Sequence, residues 1–334
     1  MVRVALDAMG GDAAPATEVE GAVRALLDLP PNFSVELVGQ TAGIEAELAK
    51  YPEVDRSRVH LVEAPETIGM AEKPIEAVRR KRKSSLVVGL SRHAAGEAQA
   101  FISAGNTGAI LAASTIILGL HPGVARATVG TLLPTIDGTV LLLDAGANVD
   151  CSARELVGFA YLGSLYMRDV IERAEPRVGL LNVGEEEGKG TAIVREAHDL
   201  LKQAPGLNYL GNIEGRDILG GHSRHGRVDV VVADGFVGNI VLKFYESVLG
   251  LVRQLAEREQ LWDRPETRKA FRMLDYSQYG GAPLLGVKGT SIICHGSSNA
   301  NAIKHAIRVA VQTVGSGLNK HIGAEFASHE REPA

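Results

Sequence analysis

Short runs of consecutive apolar residues alternate with longer segments whose apolar positions recur every three or four residues. The short runs predict strands at Val2–Leu6, Val35–Val38, Val59–Val62, Ala100–Ser103, Thr128–Leu133, Thr139–Leu143, Val178–Leu181, Asn208–Leu210, Val228–Val232 and Ser291–Ile293. The periodic segments predict helices at Thr17–Asp28, Thr41–Ala49, Pro74–Ala94, Thr107–Leu118, Ala153–Arg173, Ala192–Gln203, Val237–Arg258 and Ala300–Val314. Runs such as TVLLLD and VDVVVAD are apolar on both faces, as in a parallel sheet covered on both sides. Strand–helix alternation then implies layered α/β packing with right-handed crossovers. No repeat and no low-complexity linker interrupts the chain. Residues 1–327 therefore read as a single α/β domain in which any two lobes share the sheet, followed by a polar, frayed tail at 328–334.

The turns after the strands carry the chemistry. Six of them are built from small and polar residues: DAMGGD from Asp7, SAGNTG from Ser103, DAGANVD from Asp144, NVGEEEGKGT from Asn182, DGFVGN from Asp234 and CHGSSNAN from Cys294. In an open parallel sheet these turns share the carboxyl edge, where ligands bind. Glycine lets the backbone approach a ligand, and the following helix N-termini offer unpaired N–H groups to anions. Each turn taken alone reads equally as a tight connection with an Asn, Asp or Ser cap.

Composition narrows the choice. Glycine contributes 38 of 334 residues, against a usual share of about 7%, whereas aromatic residues are only 4%. That favours close backbone turns over a stacking platform for nucleic acid. The formal net charge of −5 gives no global attraction for nucleic acid, so any anionic partner must meet a local patch. Two cysteines, Cys151 and Cys294, cannot make a disulfide framework and fit a reducing compartment. The N-terminal segment lacks the pattern of a signal peptide. The longest uncharged apolar stretch, Gly108 to Leu120, is shorter than the ~20 residues of a membrane span. A cytoplasmic location is expected.

Several motifs lead to exclusions. Asp7–Asp12 does not match the glycine fingerprint of a dinucleotide site, and its acids oppose a pyrophosphate. Gly184–Thr191 imitates a phosphate-binding P-loop but has the wrong spacing and three glutamates. It reads either as the holder of a single phosphate through Lys189 or as a solvated charged loop. The run Arg79-Arg80-Lys81-Arg82-Lys83 falls on a predicted helix and reads either as a docking patch for an acidic partner or as a solvated face. His222 and His225 lack a surrounding ligand set, so no metal site is expected. Cys151 follows Asp150, which raises a thiol pKa rather than activating it. No serine-nucleophile elbow is present.

The segments ALDAMGGD, ISAGNTGA, LLLDAGANVDC, LLNVGEEEGKG, YLGNIEGRDI and VVVADGFVGNIVLK resemble the bacterial PlsX phosphate acyltransferases, in the same order from Met1 to about Gly317. Ala13 stands where a histidine is common in that family. The resemblance implies a three-layer α/β/α sandwich, mostly parallel, like that of isopropylmalate dehydrogenase and phosphotransacetylase. It also implies transfer of a fatty acyl group from acyl carrier protein to inorganic phosphate, at the start of phospholipid synthesis. A homodimer, no cofactor, and action at the membrane surface without a spanning helix are further implications, with a glycerol-3-phosphate acyltransferase downstream. The alternatives are a metal- and NAD-dependent dehydrogenase of related fold and a non-enzymatic scaffold of lipid synthesis.

Direct attack of phosphate on a thioester needs an anion site, donors for an oxyanion and exclusion of water. Gly105, Asn106, Thr107, Gly108 and Lys189 are the expected phosphate neighbourhood. Asn106, Asn148 and Asn239 are candidate donors, and His295 beside Ser297 is the candidate acid or base. Lys243 lies one turn beyond Asn239 on the same helix face. Arg79, Arg80 and Arg82 are the candidate docking residues for the acidic carrier.

A last reading concerns an amphipathic tip at about 237–285. Val241, Phe244, Tyr245, Val248, Leu251, Val252 and Leu255 recur at helical spacing as one sticky face. Trp262, Phe271 and Leu274 then interleave with Arg264, Arg268, Lys269 and Arg272, and YGGAPLLG adds two exposed-looking leucines. Such a basic amphipathic segment suits an anionic bilayer surface, and the first helix suits a dimer contact equally.

Overall fold

The computed structural model describes residues 1–136, 138–274 and 279–329; of Ala270, residues 272–274 and His329 it describes the backbone only. The chain forms two compact units, Met1–Ala127 with Ser277–Ala334, and Thr128–Tyr276 between them in sequence.

Unit 1 begins with β1 (Val2–Asp7), α1 (Ala16–Asp28), β2 (Phe33–Gly39), α2 (Thr41–Leu48), β3 (Val59–Glu63), α3 (Pro74–Arg80), α4 (Ser85–Ala94), β4 (Ala100–Ser103) and α5 (Thr107–Ile117). Unit 2 contains β5 (Thr128–Val129), β6 (Thr131–Thr135), β7 (Gly138–Leu143), α6 (Ala153–Asp169), β8 (Arg177–Leu181), α7 (Ala192–Gln203), β9 (Asn208–Ile213) and α8 (Gly215–Gly220). The small hairpin β10 (His222–Ser223) and β11 (Gly226–Arg227) follows, then β12 (Val230–Val232), α9 (Gly235–Arg258) and α10 (Pro265–Leu274). The chain returns to unit 1 with β13 (Ala282–Leu285), β14 (Thr290–Ile293), α11 (Ala300–Ser316) and α12 (Leu318–His329).

In unit 1 the strands are ordered β3-β2-β1-β4-β14-β13. All neighbours are parallel except β13, which runs antiparallel to β14. Successive residues of a strand point to opposite faces. Val4, Leu6, Val35, Leu37, Ile102 and Ile292 therefore share one core with residues of α1 and α11. Phe101 points the other way, where a Cβ on Gly89 of α4 would lie 2.7 Å from its ring. Helices thus cover both faces.

Unit 2 repeats the plan with a sheet ordered β6-β7-β12-β8-β9, in which only β6 is antiparallel. Helix α6 lies on β7, β12 and β8, so close at Gly163 that a Cβ there would stand 2.5 Å from Leu143. The opposite face packs Val140, Leu142 and Val231 with Ile218 of α8 and Tyr245 of α9.

The expected α/β/α layering and parallel strands are present. The strands fall into a seven-stranded and a five-stranded sheet, beside the small two-stranded hairpin. Each large sheet includes an antiparallel pairing, β13 with β14 or β6 with β7, and apolar strand patterns do not state which strand neighbours which.

The helix expected over Pro74–Ala94 is two helices. Lys81 leaves the helical path, and Ser84 caps α4 by accepting from the Val87 N–H. The strand expected over Thr128–Leu133 divides at Gly130. The leucines of YGGAPLLG, Leu284 and Leu285, are buried in β13 rather than exposed, so this stretch belongs to the unit 1 sheet and not to a tip.

Candidate active site

In unit 1, β1, β4 and β14 run parallel, which brings Asp7, Ser103 and Cys294 to the same carboxyl edge. Asp7 is buried and accepts from the Ser103 hydroxyl at 2.7 Å and the Met9 N–H at 3.1 Å. Ser103 Oγ in turn accepts from the Gly105 N–H at 3.0 Å. A Cβ on Gly10 would stand 2.8 Å from the Gly105 nitrogen and 2.9 Å from Asp7 Oδ2, so the first two turns meet backbone to backbone. Burial raises the Asp7 pKa.

Glu18 enters this edge from the first turn of α1. Its carboxylate lies against Gly11, where a Cβ would displace it. It is buried, and its Oε2 has no hydrogen-bond partner among the described residues. Burial pushes its pKa up to about 7, and the charges of Asp7 and Asp12 add to the rise. Sequence reasoning missed this group. Its signal was an acid on the same helical stripe as Ala22 and Ala25.

Asn106 caps α5, its Oδ1 accepting from the Ala109 N–H at 3.0 Å. Its amide nitrogen donates to the carbonyls of Met70 and Glu72 at 2.9 and 3.2 Å. Both amide hydrogens have protein acceptors, so the expected role as an oxyanion donor gives way to a structural one. Asn106 ties the 68–73 loop to the start of α5. Glu72 fastens the same loop through Lys81, the Gly69 N–H and Arg80, and these contacts hold its carboxyl down to about 2. Gly108 lies close to Pro74, and a Cβ there would stand 2.7 Å from its ring. The Gly105 N–H is used by Ser103, but the N–H groups of Thr107 and Gly108 open α5 with no acceptor among the described residues.

His295 is exposed. Its Nδ1 accepts from the Ser297 hydroxyl at 2.7 Å and the Ser297 N–H at 3.2 Å, so the neutral ring carries its proton on Nε2. Gly296 accepts from the Asp12 N–H at 2.9 Å, joining the last turn to the first.

In unit 2, Asp144 ends β7, fully buried. It accepts from the N–H groups of Val129, Gly146, Ala147 and Asn148 and from the Asn148 side-chain amide at 2.8 Å. The Asn148 side-chain amide is thus engaged by Asp144 through one of its hydrogens. Asp234 caps α9 through the Val237 N–H at 2.8 Å. Gly235 packs on the Asn148 backbone, and Gly238 meets the Asp144 carbonyl where a Cβ would clash. These close approaches set the first turn of α9 on the β7 turn and place Asn239 against Gly146, which has φ +128°. Asn239 is exposed. Burial, with the charges of Asp144, Glu155 and Asp234, pushes the Cys151 thiol up to about 11, against a thiolate nucleophile.

The Gly184–Thr191 loop is pinned by Asn182, whose amide donates to the Lys189 carbonyl at 3.2 Å. Glu185 pairs with Arg224 at 2.7 Å and Glu187 with Lys202 at 2.6 Å. The exposed Lys189 ammonium has no ion pair among the described residues. Lys243, by contrast, pairs with Glu246 at 2.9 Å.

The remaining candidates lie apart from these edges. Arg79 and Arg82 are exposed and hold no ion pair among the described residues, whereas Arg80 pairs with Glu72 at 2.9 Å. The sticky face expected on α9 divides. Tyr245 is buried and donates to the Pro134 carbonyl, and Val241 packs on the core. Phe236, Ile240, Phe244, Leu251 and Leu255 are exposed. Trp262 is half-buried, 5.0 Å from the Phe271 ring and under the Arg253 guanidinium at 4.8 Å. The Leu274 side chain lies outside the described residues.

A family profile described as "Fatty acid synthesis protein" matches residues 2–321. The chain is 47% identical over 323 residues to a phosphate acyltransferase of Heliobacterium modesticaldum, covering 94% of each protein. It is 46% identical over 338 residues to one of Acidobacterium capsulatum, covering 98% of each. Among solved structures it is similar to EutD phosphotransacetylase from Staphylococcus aureus, with a TM-score of 0.63, 16% identity and 94% of each chain covered. It is also similar to 4-hydroxythreonine-4-phosphate dehydrogenase from Klebsiella pneumoniae, with a TM-score of 0.52, 15% identity and 94% and 98% covered. At such identities the structural likeness is one of fold.

Proposed function

This chain belongs to the PlsX family of phosphate acyltransferases, and on that premise we propose that it moves a fatty acyl group from the thioester of acyl carrier protein to inorganic phosphate. It is an enzyme of lipid synthesis that transfers an acyl group to phosphate. The observation that carries this is a family match running from residue 2 to residue 321.

In the proposed reaction a phosphate oxygen adds to the thioester carbonyl carbon, and the carbonyl becomes an oxyanion. The C–S bond then breaks, the carrier leaves as a thiolate that takes up a proton, and acyl phosphate is released. Phosphate is already nucleophilic at neutral pH, so catalysis rests on positioning and on donors for developing charge. In unit 2, Lys189 is an exposed ammonium without an ion pair among the described residues, which suits a phosphate dianion, and Asn239 is an exposed amide on the edge built around Asp144. In unit 1, the open N–H groups of Thr107 and Gly108 and the Nε2–H of His295 are the donors still available to an oxyanion. Asp7, Asp144, Asn106 and Asn148 keep these edges in shape.

We extend the proposal to a cytoplasmic homodimer that works on the membrane surface and hands acyl phosphate to a glycerol-3-phosphate acyltransferase. The exposed apolar side chains of α9 support contact with a second copy. By length and apolarity α9 could cross a bilayer, but Gly235, Gly238 and Tyr245 pack it onto unit 2, which favours a surface role. Trp262 with the exposed Arg264 and Lys269 supports contact with anionic lipid.

The test is incubation with an acyl carrier protein thioester and labelled phosphate, without added metal or nucleotide. Label is expected in acyl phosphate, with one carrier thiol freed per label transferred. Transfer only from small-molecule thioesters would overturn the carrier as donor. Transfer that requires NAD or a divalent ion would overturn the mechanism.

A further inference from the structure

The unit 1 sheet has a second edge. Thr290 pairs in register with Ala100, and Ile293 with Ser103, so β4 and β14 both run from an amino-terminal edge to the edge carrying Asp7 and Ser103. At the amino-terminal edge lies a cavity of about 420 Å³, a size typical of small-molecule sites.

Its wall is built from polar groups that satisfy one another. His93 donates from Nδ1 to the Ala98 carbonyl at 3.0 Å and accepts the Thr290 N–H at Nε2 at 2.9 Å, which fixes it as a neutral ring. Asn319 donates to Thr290 Oγ1 at 3.3 Å and accepts from His121 Nε2 at 3.1 Å. One hydroxyl is left over. Thr313 is 4% exposed, lines the cavity, and its Oγ1 has no partner among the described residues. A buried polar atom without a partner is costly unless something else binds it.

The charge is one-sided. Lys288 and Lys320 line the cavity, are exposed, and hold no ion pair among the described residues. Among the described residues, no acidic side chain lines it. Val314 and Ala98 add apolar surface.

We propose that this cavity is a second binding site, for a small organic anion whose phosphate or carboxylate group meets Lys288 and Lys320 and whose apolar body lies against Val314. The His93–Thr290 and Asn319–His121 pairs hold the wall ready. The site lies across the sheet from the Asp7–Ser103 edge and is separate from acyl transfer.

Calorimetric titration with hexyl phosphate, hexanoate and hexanol tests it. The parent is expected to bind at least one of the two anions and not hexanol. In the Lys288→Glu/Lys320→Glu protein that binding should weaken at least tenfold, with acyl transfer within twofold of the parent. A loss confined to one anion supports the site and identifies its head group. Equal binding by parent and double variant, or no saturable binding by the parent, overturns the proposal.

Discussion

Glu18 makes a single side chain measurable. Its pKa rises from 4.5 to about 7 on folding. A carboxyl whose folded pKa is raised adds stability below its unfolded pKa and loses it as pH climbs through the folded one. The window is therefore about 4.5 to 7, and the full shift corresponds to roughly 3 kcal/mol. Glu18→Gln keeps the shape but cannot ionise. Thermal melts from about pH 5 to 8 should show at most half the decline of the parent, the rest coming from groups such as Asp7, which burial shifts in the same direction. Equal declines would place the pH dependence elsewhere. This residue also shows where sequence stops being informative. An amide after a strand is visible at Asn106 and Asn148, but the number of partners it already has is not. The Met70 and Glu72 carbonyls come from a loop about 35 residues away, and only the fold delivers them.

Helix α9 shows the same limit one scale up. Its length and apolar rhythm were legible, and its ends fall within two residues of expectation at Gly235 and Arg258. The division of its apolar residues was not. Tyr245 reaches Pro134, 111 positions earlier, while its neighbour Phe244 is 67% exposed. Hydrophobic periodicity marks a face but not what covers it. The Lys81–Ser84 break was legible only in part, since Ser84 is an ordinary cap residue hidden in a run of helix formers. The α9 surface gives an element-scale prediction. Phe244→Glu with Leu251→Glu, two exposed positions seven residues apart, should shift sedimentation toward the monomer and leave co-sedimentation with anionic vesicles unchanged. A double variant that stays dimeric would remove this face from subunit contact. One that loses the vesicles instead would assign the face to lipid.

For the whole molecule, a net charge of −5 disfavours an acidic carrier unless a local patch offsets it. Arg79 and Arg82 are exposed members of the basic run without ion pairs among the described residues, whereas Arg80 is engaged by Glu72. Arg79→Glu with Arg82→Glu should lower kcat/KM for carrier-bound substrate about tenfold at low salt, and the deficit should shrink as salt rises. A loss of equal size with a small-molecule thioester would point to damage rather than docking. Layering and strand direction could be read from the chain, but the sorting of strands into two sheets could not, because unit 1 is assembled from both ends of the sequence. That arrangement has a consequence for synthesis. The middle segment has its whole sheet before the last strands exist, whereas a chain halted before Thr290 leaves β4 with a bare edge and α1 without the cover of α11. An unpaired edge beside uncovered apolar residues invites association between unfinished chains. The growing polypeptide therefore depends on its final helices, or on a chaperone held in their place, to stay soluble until release from the ribosome.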